Sequence, residues 1–178
     1  MTNRLHLLQA IHDWDVFTFR QVIALPGNSQ LIRFARGISR SGDGYLYPFL
    51  PLALLPLGIE ATLAFTELLV LSLAVERTAY VIAKHYFRRR RPANILPDYD
   101  SVIVASDEFS FPSGHSSAAF LVVTVLVLTA GPMFALLYPW AGLVAISRVV
   151  VGVHFPSDIL VGSLMGTALA LLTCELYW

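Results

Sequence analysis

Along the chain, apolar residues gather into long runs separated by short polar breaks, and the spacing of the runs predicts helices and no strands. Over residues 5–25, Leu7, Ile11, Trp14, Thr18, Val22 and Leu25 recur on one helical face, with Asp13 and Arg20 off it. That pattern predicts a helix lying on a membrane surface and not crossing it. Pro26-Gly27-Asn28 breaks this helix. A short basic amphipathic stretch with Arg33, Arg36 and Arg40 follows and ends at Ser41-Gly42-Asp43-Gly44. Tyr45–Ile59 is a short apolar run holding Pro48, Pro51 and Pro56, a weak spanning helix because a bilayer core needs about 20 residues. Glu60–Tyr86 is long enough to cross even when tilted, and Ser113–Ala130, Pro132–Val150 and Pro156–Tyr177 are close to spanning length.

Only Gly131-Pro132 joins the second and third of these long runs, so they are expected as antiparallel neighbours. The long polar stretch 87–112 reads as a structured loop at the membrane surface. The expected fold is all-α: a polytopic membrane helical bundle of about five spanning helices plus an N-terminal amphipathic helix. It forms one domain, with residues 1–44 as the amphipathic region and 45–177 as the transmembrane catalytic bundle.

Composition strengthens the membrane reading. Of 178 residues, 56% are hydrophobic and 13% charged, and the mean hydropathy is +0.67. A soluble domain carries roughly a quarter of its residues as charges, so much of this surface must face something other than water. The formal net charge of zero argues against a nucleic-acid partner. A single cysteine, Cys174, excludes an intrachain disulfide and a multi-cysteine metal site. Asp13, Asp15 and His12 interrupt what would be the apolar core of a cleavable signal peptide, so none is expected.

Counting crossings brings four helix ends to one face, and the polar chemistry concentrates there. Lys84 precedes Arg91-Pro92 by seven positions; Pro112-Ser113-Gly114-His115 opens the next run; Ser147-Arg148, His154 and Asp158 follow. Together they supply three cations, two histidines, one acid and one helix N-terminus at a single level, which suits a phosphate dianion. Ser113 is a candidate N-cap, and the amides behind it would meet phosphate oxygens with help from the helix dipole. Gly114 permits close backbone approach. Lys84 is the chain's only lysine, and Arg91 and Arg148 have the fork geometry for non-bridging oxygens. Pro156 suits a first helical position, which puts Asp158 in the first turn, within reach of one ring nitrogen of His154. The other nitrogen is then free to attack phosphorus, and His115 remains to protonate the leaving group.

These three clusters, in this order, resemble the type 2 phosphatidic acid phosphatase superfamily, which includes vanadium haloperoxidases and glucose-6-phosphatases. Its pattern, K-x6-R-P, then P-S-G-H, then S-R-x5-H-x3-D, is matched at every defining position between residues 84 and 158. The resemblance implies a phosphohistidine at His154, His115 as general acid, Asp158 as orienting acid, and phosphate held by Lys84, Arg91, Ser113, Gly114 and Arg148. It also implies a helical bundle with no metal and no cofactor. The substrate it suggests is a lipid phosphate ester or diphosphate in the bilayer. Undecaprenyl diphosphate is favoured on the family's habits; phosphatidylglycerol phosphate, phosphatidic acid and a lipid A phosphate are the alternatives. A reading of another class is a binder or transporter of anionic headgroups, against which the histidines and Asp158 argue.

Blander readings hold elsewhere. Arg88, Arg89 and Arg90 read as membrane-surface anchors, and Tyr45, Tyr47, Trp140, Tyr177 and Trp178 as interfacial aromatics. Glu67, deep in a spanning run, reads as a buried structural partner, and Asp43 as a turn residue. Ser147 reads as a capping or loop-orienting residue. The positive-inside rule puts the arginine-rich site face in the cytoplasm, whereas the resemblance to bacterial relatives puts it in the periplasm, and the periplasmic face of the inner membrane is the expectation adopted.

Overall fold

In the computed structural model, described for residues 2–24, 29–105 and 107–178, the described residues form helices and connecting loops with no named strand. Helix α1 spans Thr2–Ile23 and α2 spans Ser29–Ser41. The predicted break at Pro26-Gly27-Asn28 lies outside the described residues. Prolines 48, 51 and 56 then divide the next apolar run into a 3-10 turn (Tyr47–Phe49), the short helix α3 (Leu50–Leu54) and a second 3-10 turn (Leu55–Leu57). Each proline removes a backbone donor and clashes with the preceding turn, so this run folds as a broken segment leading to Gly58.

Four long helices make the body: α4 (Ile59–Phe87), α6 (Gly114–Ala130), α7 (Tyr138–Val150) and α8 (Pro156–Tyr177). Between α4 and α6 sits the one-turn α5 (Pro92–Ile95). A 3-10 turn over Pro132–Leu137 runs into α7. Pro132–Val150 and Pro156–Tyr177 are long and apolar enough to cross a membrane, and Gly114–Ala130 is a shorter apolar helix. Helix α4 has 29 residues, roughly 40 Å, but carries charged groups along its length. Large apolar side chains stand exposed on the outer faces of these helices, among them Val70 and Ile82 on α4, Ile146 on α7 and Leu164 on α8. Such contiguous apolar exposure suits a hydrocarbon solvent.

The core lies between α4, α6 and α8, where Phe65, Leu68, Leu121, Val125 and Ala170 pack. A second layer joins α6 to α7 through Ala119, Val123, Ala141 and Val144. Helix α8 approaches α6 through two glycines. A Cβ on Gly162 would lie 2.5 Å from the Ser113 carbonyl oxygen, and one on Gly166 would lie 2.0 Å from that of Ser117. Small residues four apart allow this close backbone contact.

Two expectations are corrected. Tyr47 is buried in the α4–α6–α8 core and is not an interfacial anchor. Glu67 is exposed on the bundle surface, where it accepts a hydrogen bond from the Tyr177 hydroxyl, and is not a buried partner. On α1, Asp15 and Phe19 are buried, flanked by Val16, Val22 and Ile23, and Ile11 and Trp14 of the predicted apolar face point outward.

Candidate active site

The four long helices bring their polar ends to one level. Lys84 sits one turn from the end of α4, Gly114 and His115 open α6, Arg148 closes α7, and Asp158 lies in the first turn of α8. Between the last two, residues 151–155 form a tight loop in which the amides of Val153 and His154 both reach the Arg148 carbonyl, at 3.2 and 3.3 Å. Gly152 turns it at φ +83°, with the Tyr99 ring so near that a Cβ would overlap its hydroxyl.

A cavity of about 310 Å3 opens here, lined by Arg91, Gly114, His115, Arg148 and His154, together with Asp43 and Asp107. Lys84, Ser113 and Asp158 stand behind its wall. Ser113 is fully buried: its hydroxyl caps α6 by accepting from the Ser116 amide, and its own amide donates to the Asp158 carbonyl at 3.0 Å. The amides of Gly114 and His115 follow at the start of the helix, where no intrahelical acceptor precedes them. Ser147 donates to the Val144 carbonyl at 2.6 Å and stiffens the end of α7.

His154 is 2% exposed. Burial pushes its pKa down to about 4, helped by the charges of Arg91 and Arg148 and opposed by Asp158. At neutral pH the imidazole is therefore uncharged, as a nucleophile must be. Its Nδ1 lies 3.7 Å from Asp158 Oδ2, an ion-pair separation longer than a hydrogen bond. Asp158 is instead held by the Phe155 amide at 2.8 Å on Oδ2 and by Arg89 at 2.7 Å on Oδ1. With Nδ1 turned to Asp158, the opposite ring edge, carrying Nε2, is directed at the cavity.

Three contacts went unread in the sequence. Arg89, taken as a surface anchor, turns inward: one guanidinium nitrogen donates to Ser157 and Asp158, the other to Asp15 at 2.6 Å. Asp15, fully buried on α1, also accepts from the Ser157 amide at 2.8 Å. Asp43, taken as a turn residue, accepts from His115 Nε2 at 2.7 Å. The bond requires that nitrogen to carry a proton.

Asp107 is the third. It accepts from Lys84 at 2.6 Å and also from Tyr80 and Arg91, so its carboxylate occupies two of the cations expected to face phosphate. Burial alone would raise its pKa, but the hydrogen bonds from Lys84 and Tyr80 and the Lys84 charge hold it down at about 2. Arg91 further donates to the carbonyl of Val153 at 2.6 Å. Arg148 is tied to Ser39 of α2, while its Nε has no partner among the described residues.

A cavity with two guanidinium groups, a helix N-terminus and an uncharged, buried histidine opposite a second histidine that donates to Asp43 suits an anion. The model of the PAP2 superfamily matches residues 65–178. The chain belongs to that superfamily. It is 29% identical over 164 residues to an undecaprenyl-diphosphatase of Sulfolobus acidocaldarius, covering 92% of this chain and 76% of that one. It is 32% identical over 149 residues to decaprenylphosphoryl-5-phosphoribose phosphatase of Mycobacterium tuberculosis, covering 80% and 78%. Among solved structures, Aquifex aeolicus LpxE superposes with a TM-score of 0.75 at 28% identity, over 89% of this chain and 93% of that one. A transmembrane PAP2-type phosphatidylglycerolphosphate phosphatase from Bacillus subtilis does so at 0.73 and 26%, over 94% and 86%. The chain is thus a phosphatase of a lipid-phosphatase family, with the helical fold of a membrane PAP2 enzyme.

Proposed function

We propose that this PAP2 phosphatase hydrolyses undecaprenyl diphosphate to undecaprenyl phosphate through a phosphohistidine at His154, without a metal. The observation that carries the reading is the uncharged, buried His154, backed by Asp158 and facing a cavity that His115, Arg91 and Arg148 share. His154 Nε2 forms a bond to the terminal phosphorus as the bond to the leaving oxygen breaks, and His115 gives that oxygen a proton. Water, losing a proton to His115, then attacks the phosphorus, and the P–N bond breaks to release inorganic phosphate. Arg91, Arg148, Lys84 and the start of α6 at Ser113 and Gly114 hold the phosphoryl oxygens. The arriving phosphate takes over the hydrogen bonds that Asp107 now receives.

Five segments, 45–59 and the four long helices, cross the inner membrane in this reading, and residues 1–44 lie on its surface as part of the same domain. The active site faces the periplasm. The substrate assignment draws on the similarity to the undecaprenyl-diphosphatase; phosphatidylglycerol phosphate, phosphatidic acid and a lipid A phosphate are its competitors.

The test is phosphate release by the purified protein from these four lipids, with EDTA present and His154→Ala in parallel. Release is expected to survive EDTA, to be fastest from undecaprenyl diphosphate, and to vanish in the variant. A mutant as active as the wild type sinks the histidine mechanism. Lipid binding without release from any of the four would leave a headgroup binder.

A further inference from the structure

A second cavity adjoins the catalytic one, and the machinery described above does not use it. It has a volume of about 380 Å3 and is lined by Arg36 and Arg40 of α2 as well as by Asp43, His115 and Arg148. The last three also line the catalytic cavity, so His115 stands where the two spaces meet. Arg36 and Arg40, one turn apart, share a helix face. The Arg36 guanidinium makes one bond, to the Val102 carbonyl at 3.0 Å. That of Arg40 has no partner among the described residues. Asp43 is the cavity's own carboxylate, and it is engaged by His115.

The direction of the reaction says what this space receives. His115 protonates the leaving oxygen, so the group attached to that oxygen lies beyond His115, toward Arg36 and Arg40. From a phosphate monoester the departing group is an alcohol, uncharged once protonated, with nothing to offer two guanidinium groups. From a diphosphate it is a lipid-bound phosphate, and planar forks of N–H donors match its oxygens.

We propose that Arg36 and Arg40 form a leaving-group subsite that binds the lipid-proximal phosphate of a diphosphate substrate. This deepens the phosphatase reading above and rests on it. The P–O bond breaks at the terminal phosphorus, so the bridging oxygen departs with the lipid phosphate and the proton from His115. The terminal phosphoryl group stays on His154 until water removes it. Charge neutralised at the departing phosphate lowers the barrier for the diphosphate alone. Basic residues that merely anchor α2 to a membrane would serve both substrates equally.

The experiment compares a matched pair with one hydrocarbon tail, farnesyl diphosphate and farnesyl phosphate, through kcat/KM in wild type, Arg36→Gln/Arg40→Gln and Arg36→Lys/Arg40→Lys. Wild type is expected to prefer the diphosphate. The glutamine pair should lower the diphosphate-to-monophosphate ratio at least tenfold, and the lysine pair should restore part of it. Should the double variant fail to fold, Arg40→Gln alone, at an exposed position, is expected to shift the ratio in the same direction. A ratio that stays at the wild-type value, whether both rates fall together or neither does, overturns the subsite. Wild-type hydrolysis of the monophosphate alone also overturns it while leaving the phosphatase reading standing; hydrolysis of neither removes both.

Discussion

Arg89 shows how much can turn on one side chain. It bridges two fully buried carboxylates, Asp15 and Asp158, and its guanidinium stacks 4.5 Å above the Phe155 ring. Removing one partner of a buried ion pair costs about 3–5 kcal/mol, because the other charge is left without compensation. Arg89→Ala is therefore expected to lower the melting temperature sharply. Arg89→Lys keeps the charge but loses the fork, so one ammonium cannot serve Asp15, Ser157 and Asp158 together. That variant should fold, keep KM near wild type and lose roughly 10- to 100-fold in kcat, since Asp158 no longer orients His154. A lysine variant with wild-type kcat would show that Arg89 only stabilises the fold. In the sequence this residue was hidden inside four consecutive arginines, of which only Arg91 stands in a motif. Its partner Asp15 lies 74 positions away on another helix, a pairing that no local periodicity encodes. Asp43 and Asp107 were hidden likewise, in loops whose side chains follow no repeat. His154, His115, Arg91 and Arg148 could be located because short motifs fix them to helix ends.

Elements were read well where length and apolar content decided, as with the four long helices, and poorly where proline intervened. Residues 45–59 read as a weak spanning helix, and the structure shows where the three prolines divide it into a short helix between two 3-10 turns. Nor does composition tell which helices touch. Gly162 and Gly166 are two of the chain's 11 glycines, and only the structure shows their backbones set against the carbonyls of Ser113 and Ser117. The contact lies directly behind the first turn of α6, which presents His115. Gly166→Val would force α8 away from α6, since the obstacle is backbone and cannot rotate aside. Overpacking of this kind costs about 1–3 kcal/mol. Its effect should also reach catalysis, because Ser113 is bonded to Asp158 across the same seam. A fall in melting temperature accompanied by reduced kcat is expected in Gly166→Val, with Gly142→Ala as the control at a glycine with open space around it. Loss of stability with full activity would mean that the seam does not hold the two histidines in register.

At the scale of the whole molecule, the unequal charge of the two ends bears on orientation. Arginines crowd the site end, which by the positive-inside rule would face the cytoplasm. Much of that charge, however, is engaged inside the protein. Arg89 is committed to Asp15 and Asp158, Arg91 to Asp107 and Val153, and Arg148 to Ser39. Arg36 and Arg40 line a cavity. Arg33 and Arg88 bond carbonyls of their own segments. Charges paired with buried carboxylates weigh less on orientation, so the positive-inside count rests on Arg33, Arg36, Arg40, Arg88 and Arg90, which stay exposed. Two exposed residues at opposite ends allow a direct reading: Val104, 97% exposed in the loop beside the Arg36 cavity, and Leu136, 83% exposed in the turn before α7. With Cys174 replaced by serine, Val104→Cys and Leu136→Cys can each be challenged in spheroplasts with a maleimide that does not cross membranes. The periplasmic reading expects label at position 104 at once and at position 136 only after lysis. The reverse pattern would put the site in the cytoplasm, and its lipid substrate would then have to be presented from the inner leaflet.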